Sequence, residues 1–414
     1  MCKVAVIGYG TVGSGTVELF MKNRESISKK VGKDCDIKYI LDLRDFPDSP
    51  FADRMVKDFE TILNDDEVTV VAEVVGGTTF AYDYTKRLLE RGKSVVTSNK
   101  ALVAEKGAEL IALAKQHKCN YLFEASVGGG IPILRPINKC LAGNEILQIS
   151  GILNGTTNFI LSKMIKDQMS FDDALKMAQE LGYAEADPTA DVEGEDACRK
   201  ICILGSLAYG RHIYPEMVHC SGITRITLDD VEYAANAGYV IKLIGSVKEL
   251  GGGKLKAIVC PRFVPKTNLL ASVDDVYNAI SVVGDGVGNV MFYGKGAGKL
   301  PTASAVVGDI IDCLKHPQTV LAINWEESED RSFVVNYKET DTSVYVRIQA
   351  DNAEALKGSL SEMFGKLMYI ERAGRPDNEI AFITPTMKEA DIDDNLTILS
   401  HSAEIKSKIR IYQA

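Results

Sequence analysis

The sequence has no long apolar run and no excess of basic residues. No stretch of about 18 apolar residues occurs, so a membrane span is not expected. The N-terminal MCKVAVIGYGTVG breaks into glycines too early for a signal peptide. Lys and Arg number 47 against 57 Asp and Glu, and a chain with net charge −10 is poorly suited to bind nucleic acid. We therefore expect a cytoplasmic protein that acts on small molecules.

Paired cysteines and low-complexity segments are also missing. The nine cysteines include no CxxC pair and no zinc pattern with histidine, so most are expected to be small buried side chains. Gly and Pro number 35 and 12 in 414 residues, too few for a collagen-like or disordered chain. The length instead predicts two to four globular domains.

The first 134 residues alternate short apolar strands with helix-like segments. Lys3–Ile7 is a β-branched run, and Thr11–Lys22 follows it with helical spacing. Near-continuous apolar strands separated by helices are typical of a parallel sheet covered on both faces. The predicted fold class is therefore α/β, with a doubly wound parallel sheet of Rossmann type over residues 1–134. Further strands are predicted at 37–41, 67–75, 94–97 and 120–125, and further helices at 81–91 and 107–117.

Beyond residue 135 the pattern is mixed and predicts an α+β domain over residues 135–325. A helix near 300–320 is expected to pack back on the first domain. The acidic Glu326–Asp330 is the best linker candidate. Residues 332–414 follow a β-α-β-β-α-β order and predict a small third domain. Helices are predicted in the second domain at 156–166, 171–181 and 196–209, and strands at 145–153, 240–248 and 254–261.

A glycine-rich loop follows the first strand and opens the first helix. Gly8, Gly10 and Gly13 form G-x-G-x-x-G in the context that dinucleotide binding requires. The glycines permit a tight turn, close approach of a pyrophosphate and close helix–strand packing. The main-chain amides expected to face the phosphates are those of Tyr9, Thr11 and Val12.

The end of the second strand should select the cofactor. Asp42 there would accept hydrogen bonds from a ribose 2′-hydroxyl and favour NAD, whereas Arg44 would hold a 2′-phosphate and favour NADP. Both residues are present, so the sequence leaves NAD and NADP open.

Three later segments lie at strand ends. Lys100 follows the fourth strand, at the edge where ligands bind in open α/β sheets, and could act as acid or base or be a surface lysine. Glu124 precedes three consecutive glycines, which leave carbonyls to bind a cation or substrate, or form a hinge. Asn154–Asn158 is a candidate anion-binding nest, or Thr156 or Thr157 is a plain helix cap.

Acidic residues are concentrated between Glu185 and Asp196, which suits a substrate that carries an ammonium group. Asp196 and Lys200 are four residues apart and share one helix face. Because the helix continues as an apolar segment, Lys200 could be a positioned proton-transfer group rather than one half of a surface ion pair. A second glycine loop, Gly294–Thr302, precedes a helix and could return to the dinucleotide.

Together these segments resemble the homoserine dehydrogenase family over about residues 1–320. The resemblance rests on motifs in the order TSNKAL (97–102), EASVGGGIPI (124–133), GILNGTTNFIL (151–161), GYAEADPTADVEGEDACRKICIL (182–204) and GKGAGKLPTASAVVGDI (294–310). It implies NAD(P)-dependent reduction of L-aspartate 4-semialdehyde to L-homoserine in the threonine, methionine and isoleucine branch of the aspartate pathway. A homodimer or homotetramer is expected.

The resemblance also implies roles for individual residues. Lys200 and Lys100 are implied as proton-transfer groups, with Asp196 holding Lys200. The residues implied for the substrate pocket are Glu185, Asp191, Tyr183, Asn154, Gly155 and Thr156. Those implied for the cofactor are Gly8, Tyr9, Gly10, Thr11, Val12, Gly13, Asp42, Arg44, Gly76, Gly77, Ser98, Lys100 and Gly296. Those implied for a sodium ion are Glu124 and the main-chain oxygens of Val127, Gly129 and Ile131.

The C-terminal segment resembles a small regulatory domain of the ACT type. The family's Asp-x-Pro-Gly-Val-Leu entry to its first helix reads here Asp351-Asn352-Ala353-Glu354-Ala355-Leu356. The turn glycine that would let an amino acid approach the backbone is missing. The domain is therefore expected either to bind an effector such as threonine or to serve assembly only.

Two other functions compete with this interpretation. A non-catalytic dinucleotide sensor would need the glycine loop but not the acidic cluster with Lys200. A related semialdehyde dehydrogenase that forms a thioester would need an activated cysteine, and no cysteine follows a strand in a glycine context.

Overall fold

The computed structural model describes residues 1–317 and 319–413, which form two compact units. The first unit comprises Met1–Ile146, Cys202–Pro215 and Val283–Glu329. The second comprises Leu147–Ile201, Glu216–Val282 and the residues from Asp330 onward. Neither unit is one continuous segment of the chain.

The N-terminal part of the first unit alternates strands and helices, as the sequence predicts. Its elements are β1 (Cys2–Ile7), α1 (Thr11–Lys22), α2 (Arg24–Val31), β2 (Cys35–Leu41), β3 (Met55–Val56), α3 (Phe59–Leu63), β4 (Val68–Glu73), α4 (Thr79–Glu90), β5 (Ser94–Thr97), α5 (Lys100–Gln116) and β6 (Tyr121–Leu122).

These six strands form one parallel sheet in the order β3-β2-β1-β4-β5-β6. The order reverses between β1 and β4, and ligands bind beyond the carboxyl ends of the strands at such a switch point. The doubly wound sheet predicted from the sequence is therefore confirmed. The side chains of Val4, Val6, Val70 and Val96 lie in its buried core, as near-continuous apolar strands require.

Two boundaries differ from the prediction. The helix expected at 107–117 begins earlier, at Lys100, because the Asn99 side chain caps it by accepting a hydrogen bond from the Leu102 amide at 3.1 Å. The strand expected at 120–125 is only two residues long, because the chain turns into a 3₁₀ helix at Glu124–Ser126.

Residues 146–315 form a mixed set of elements, of which β12, α11 and the later part of α9 belong to the first unit. They are β7 (Ile146–Ile152), α6 (Gly155–Asp167), α7 (Phe171–Glu180), α8 (Thr189–Val192), α9 (Glu195–Tyr209), β8 (His219–Cys220), α10 (Leu228–Asn236), β9 (Tyr239–Glu249), β10 (Leu255–Pro265), β11 (Tyr277–Gly284), β12 (Gly288–Lys295) and α11 (Lys299–Lys315). The sequence prediction missed α10, although Thr227 and Asp230 form a capping box at its start.

Helix α11 packs on α1 within the first unit. A methyl group added at Gly15 of α1 would lie 2.8 Å from Lys299 Cγ, so the two helices approach at a residue without a side chain. Lys299 Nζ also forms an ion pair with Glu18 at 2.7 Å. The helix near residue 300 thus packs against α1, which follows the first strand of the sheet.

The C-terminal segment follows the predicted β-α-β-β-α-β order, with two short extra strands. Its elements are β13 (Asp341–Thr342), β14 (Val344–Gln349), α12 (Ala353–Phe364), β15 (Met368–Ile370), β16 (Glu379–Ile383), β17 (Met387–Lys388), α13 (Glu389–Leu399) and β18 (Glu404–Ile411). Strand β18 pairs in parallel with β10, so the second unit contains one mixed sheet in the order β11-β7-β9-β10-β18-β14-β16-β15.

Candidate active site

The glycine loop between β1 and α1 requires two of its three glycines for steric reasons. Gly8 has φ +97°, and a methyl group there would lie 2.9 Å from Val75 Cγ1. A methyl group at Gly13 would overlap the Gly8 carbonyl oxygen. The space at Gly10 is open, with only the Arg44 guanidinium near it at 3.9 Å. The loop therefore leaves its outer side open for a phosphate at the start of α1.

Asp42 is fixed beside this loop. Its Oδ2 accepts a hydrogen bond from the Tyr9 amide at 2.8 Å, and the Arg44 guanidinium binds both of its carboxylate oxygens. The Arg44 hydrogen bonds lower the pKa of Asp42 well below its usual range, so this carboxylate stays ionised. Arg44 itself is largely exposed. Both residues that were predicted to select the cofactor thus lie next to the loop, and their geometry leaves the choice between NAD and NADP open.

Glu73, a buried carboxyl at the end of β4, links this strand to the end of β5 by a hydrogen bond. The sequence prediction missed this residue. Glu73 accepts hydrogen bonds from the Thr97 hydroxyl at 2.7 Å and the Val75 amide at 2.9 Å. Burial raises its pKa to about 7. The only sequence signal is an acid within the otherwise apolar EVTVVAEVV.

Asn99 continues this connection toward the predicted cofactor residues. Its Nδ2 donates to the Gly77 carbonyl at 2.6 Å, and its own amide donates to the Thr97 hydroxyl. Gly76 and Gly77 are exposed, whereas Ser98 and Lys100 are half-buried. Lys100 is the first residue of α5, which places it at the carboxyl edge of the sheet.

The Glu124 carboxylate caps the turn that leads into residues 133–135. Its oxygens accept hydrogen bonds from the amides of Ile133, Leu134 and Arg135 at 2.6–3.0 Å. The Glu124 amide in turn donates to Asp309, whose burial raises its pKa to about 7. The Glu124 carboxylate thus already accepts hydrogen bonds from three main-chain amides.

The glycines that follow Glu124 are needed for a close approach of two loops. Gly128 and Gly129 have φ of +74° and +53°, and a methyl group at Gly129 would lie 2.5 Å from the Gly296 carbonyl oxygen. The Gly130 amide donates to the Lys295 carbonyl at 3.1 Å. The second glycine loop, Gly294–Thr302, therefore packs directly on Gly128–Gly130. Val127, Gly129 and Ile131 are buried there.

The Glu124 carboxylate and the main-chain oxygens of Val127, Gly129 and Ile131 are the kind of ligand that an alkali cation prefers. Main-chain carbonyls and one carboxylate are hard ligands suited to hard cations. Because Glu124 already accepts three amides, the main-chain oxygens would supply most of the coordination. Among residues 1–317 and 319–413, no group of three or more His, Cys, Asp or Glu could hold a metal ion.

In the second unit, four of the predicted residues meet in one hydrogen-bonded cluster. Asn154 Nδ2 donates to Asp191 Oδ1 at 2.7 Å and to Asp196 Oδ2 at 2.9 Å. Lys200 Nζ donates to Asp196 Oδ2 at 2.7 Å and to the Leu153 carbonyl at 2.6 Å. The side chains of Asn154, Asp196 and Lys200 are all buried. The Asp196–Lys200 pair is therefore not a surface ion pair.

The same Asn154 begins helix α6. Its Oδ1 accepts from the Thr157 amide at 2.8 Å, so the cap is Asn154 rather than Thr156 or Thr157. A methyl group at Gly155 would lie 2.8 Å from the Val276 carbonyl oxygen, which explains a glycine at the first helical position. The Asn154 side chain thus both caps α6 and binds the two carboxylates of the cluster.

Tyr183 and Glu185 lie in the connection after α7. The Thr156 hydroxyl donates to the Tyr183 carbonyl at 2.7 Å, and the Tyr183 ring packs edge-on against Phe159. Tyr183 and Glu185 are both exposed, and the Glu185 carbonyl accepts from Gln179. The structure thus ties the backbone of this connection to α6 and leaves the Glu185 side chain exposed.

His212 contacts the backbone of α5, and the sequence prediction missed it. Its Nε2 lies 2.8 Å from the Ala104 carbonyl and its Nδ1 accepts from the Ala108 amide at 3.4 Å. This pattern corresponds to the neutral ring with hydrogen on Nε2. Trp325 packs beside it, close to Gly107. The contact spans more than one hundred residues, so no local sequence pattern could indicate it.

In the part of the chain that the structure describes, no helix is both long enough and apolar enough to cross a membrane.

Comparison with known proteins gives consistent matches over the whole chain. Residues 8–124 match the family model described as homoserine dehydrogenase, NAD binding domain, and residues 132–311 match the model described as homoserine dehydrogenase. The homoserine dehydrogenase of Bacillus subtilis is 37% identical over 99% of this chain and 98% of its own length. That of Neisseria gonorrhoeae is 38% identical over 99% and 95%.

Solved structures agree with these matches. A homoserine dehydrogenase from Thiobacillus denitrificans superposes with a TM-score of 0.90 at 32% identity, covering 99% of this chain and 98% of that one. A hyperthermophilic archaeal homoserine dehydrogenase mutant in complex with NADPH gives a TM-score of 0.65 at 30% identity, covering 77% of this chain and 99% of that one.

Proposed function

Because this chain belongs to the homoserine dehydrogenase family and is an NAD(P)-dependent oxidoreductase, we propose how its own residues carry out the reaction. The proposed substrate is L-aspartate 4-semialdehyde, reduced to L-homoserine in the branch of the aspartate pathway that leads to threonine, methionine and isoleucine. The observation that carries the proposal is the hydrogen-bonded cluster of Asn154, Asp191, Asp196 and Lys200, in which all but Asp191 are buried.

The cluster is suited to bind an amino acid beside a proton donor. Asp191 and Asp196 supply negative charge for the substrate ammonium group, and Asn154 holds both carboxylates in one geometry. The exposed Glu185 contributes further negative charge at the same connection. Other residues proposed to line the pocket are Tyr183, Gly155 and Thr156.

Lys200 is the proposed proton donor to the developing alkoxide. When bound, NAD(P)H supplies the hydride to the aldehyde carbon. Lys200 Nζ is fixed by Asp196 Oδ2 and the Leu153 carbonyl, so little reorganisation is needed to place its proton. Asp196 is the positioning residue, and Lys100 is proposed as the second proton-transfer lysine.

The proposed dinucleotide site is the first glycine loop with the adjoining strand ends. Gly8, Gly10 and Gly13 shape the turn, and the amides of Tyr9, Thr11 and Val12 are expected to contact the pyrophosphate. Asp42 and Arg44 would contact the adenosine ribose, and initial rates with NADH and NADPH determine which coenzyme they select. The remaining proposed contacts are Gly76, Gly77, Ser98, Lys100 and Gly296.

A sodium ion is proposed at the turn after Glu124, bound mainly by the main-chain oxygens of Val127, Gly129 and Ile131. The support is the set of hard oxygen donors and the positive φ angles of Gly128 and Gly129, which form this buried turn. Unfolding temperatures measured in sodium and in tetramethylammonium salts at equal ionic strength test this site.

The proposed assembly is a homodimer or homotetramer, which light scattering measures directly. The C-terminal segment is proposed to be an ACT-like domain that serves assembly. Its βαββαβ order supports this. Because residue 354 is not the glycine of the ACT pattern, threonine binding has to be tested by titrating the protein with threonine.

Replacing Lys200 with Ala tests the central proposal. Turnover with L-aspartate 4-semialdehyde should fall at least ~100-fold, the usual contribution of a general acid, while NAD(P)H binding measured by fluorescence is retained. The matched control is Lys163→Ala, which removes the lysine of another Lys–Asp pair four residues apart, Lys163–Asp167, on the surface of α6. Near-normal turnover in Lys200→Ala would contradict the assignment.

A further inference from the structure

The second unit contains a cavity of about 480 Å³ that lies outside the proposed substrate pocket. Strands β7, β9, β10 and β18 form its walls together with the segment 339–342. Its volume is in the range of small-molecule sites. None of the proposed catalytic or cofactor residues lines it.

The lining of this cavity is strongly cationic. Its two acidic side chains are Glu339 and Asp341. The cationic side chains are Lys248, Lys256, Arg262, Lys388 and Arg410. We call this space the cationic cavity. A surplus of positive charge in a partly enclosed space attracts an anion.

Among the described residues, only Arg410 of these five cations has an ion-pair partner. The Arg410 Nε and Nη2 atoms donate to the two oxygens of Glu389 at 3.1 and 2.6 Å. Glu389 is completely buried and is also bound by Lys408. This carboxylate already binds two cations, so its single charge offsets only part of the positive charge of the cavity.

Arg262 has an unsatisfied donor in the cavity wall. The side chain is 92% buried, with a relative exposure of 8%. Its Nη2 donates to Ser246 Oγ at 2.6 Å, and its guanidinium lies over the Tyr412 ring at 5.9 Å. Within the described part of the chain, the buried Nε has no hydrogen-bond partner. This Nε is enclosed by protein, so an anion in the cavity would act on the charge of the buried guanidinium, whose desolvation is costly without a counter-charge.

Lys256 shows the same imbalance. Its Nζ makes one long hydrogen bond, to the Asp341 carbonyl at 3.5 Å. Burial, followed by the charges of Arg262 and Arg410, lowers its pKa to about 8. Three cationic side chains, Lys256, Arg262 and Arg410, thus influence one another here, and the charge of Glu389 offsets only part of their repulsion.

We propose that the cationic cavity binds a small dianion, either a phosphate-type oxyanion or a short dicarboxylate, through Arg262 and Lys256. Arginine binds both groups well because its planar donors match two oxygens of a carboxylate or phosphate. The site is independent of catalysis and lies where β10 of the central sheet adjoins β18 of the C-terminal segment. A ligand there bridges these two parts of the second unit.

The binding test uses the full chain and isothermal titration with sulfate, phosphate and succinate at constant ionic strength. Sulfate stays dianionic throughout the working pH range and is the primary probe. We expect one site per chain, and Arg262→Gln should weaken sulfate binding by about tenfold or more, since a charge-assisted donor pair is lost. Tighter binding of phosphate than succinate identifies an oxyanion site, and the reverse identifies a dicarboxylate site.

The matched control is Lys406→Gln on the same strand as Arg410. Lys406 forms a surface ion pair with Glu404 and does not line the cavity, so sulfate binding should be unchanged. Circular dichroism and melting temperature confirm that each variant is folded. Equal sulfate affinity in wild type and Arg262→Gln, or no binding beyond that of chloride, would overturn the proposal.

Proton uptake provides a second readout that does not depend on Arg262. At pH 8 about half of Lys256 is neutral, so sulfate binding should take up about half a proton, and almost none at pH 6. Titrations in buffers of different ionisation enthalpy measure this number. Lys256→Gln should abolish the uptake; uptake that persists in this variant would show that the anion binds elsewhere.

Discussion

At the scale of single residues, two buried carboxyls of the first unit contribute to the dependence of stability on pH. Burial raises the pKa of both Glu73 and Asp309 to about 7. Between about pH 4.5 and 7, the unfolded chain loses these protons and the folded protein keeps them. The contribution of these two groups to the free energy of unfolding therefore falls across this window as the pH rises, and it levels off above pH 7.

Replacing Glu73 with Gln should remove part of this dependence. Gln cannot ionise, so the variant does not lose stability through this group as the pH rises. The free energy of unfolding of the variant minus that of wild type should therefore be about 2 kcal/mol larger at pH 8 than at pH 5. Urea denaturation at both pH values measures the difference. Glu105→Gln, an exposed position on α5, is the control and should show no such change. An identical pH profile for Glu73→Gln and wild type would contradict an ionisable, buried Glu73.

At the scale of elements, α5 illustrates how a helix can depend on distant side chains. His212 lies against the Ala104 carbonyl and Ala108 amide, and Trp325 fills the space beside Gly107. The helix carries Lys100 at its first position. The position of a proposed proton-transfer residue therefore rests on contacts from segments far along the chain.

Two glycine-to-alanine substitutions test this packing. A methyl group at Gly107 would lie 2.9 Å from Trp325 Cζ2, whereas one at Gly358 of α12 meets nothing within 4 Å. Alanine favours a helix by about 1 kcal/mol at either position. We expect Gly358→Ala to stabilise by about 0.5–1 kcal/mol and Gly107→Ala to destabilise by about 1–2 kcal/mol, because overpacking outweighs propensity. Equal stabilisation in denaturant melts would exclude the Trp325 contact.

At the scale of the whole molecule, an ionic network joins α10 to the C-terminal strands of the second unit. Arg347 donates to Asp230 at 3.1 Å, to Asp229 at 2.8 Å and to Glu379 at 3.1 Å. Arg347, Asp230 and Glu379 are buried. Together with the β10–β18 pairing, this network makes the C-terminal segment part of a compact unit that also contains residues 147–201 and 216–282.

Removal of the central arginine should therefore affect the whole unit. Arg347→Met leaves the buried Asp230 without its cation and Glu379 with Arg372 alone, and it should destabilise by about 3–5 kcal/mol. A second substitution, Asp230→Asn, should recover part of that loss. The surface pair Arg199–Glu195 is the control, where Arg199→Met should cost less than about 1 kcal/mol in urea denaturation. Strictly additive effects of the two buried substitutions would argue against a coupled network.

The sequence by itself determined the elements and motifs that rest on local patterns. Alternating apolar strands and helices indicated the parallel sheet, and Gly8, Gly10 and Gly13 indicated its phosphate loop, because strand burial and tight turns constrain residues close in sequence. The spacing of Asp196 and Lys200 placed them on one helix face for the same reason. The motif order gave the family that the comparisons then confirmed.

The tertiary structure alone decided which distant groups share an environment. It joined Asn154 to Asp191 and Asp196, buried Glu73 against Thr97, and placed His212 against the backbone of α5. It also brought Lys256 and Arg262 to a wall formed partly by β18, about 150 residues later in the chain. Burial and hydrogen bonding between remote segments depend on how the elements pack, and local sequence patterns do not encode that packing.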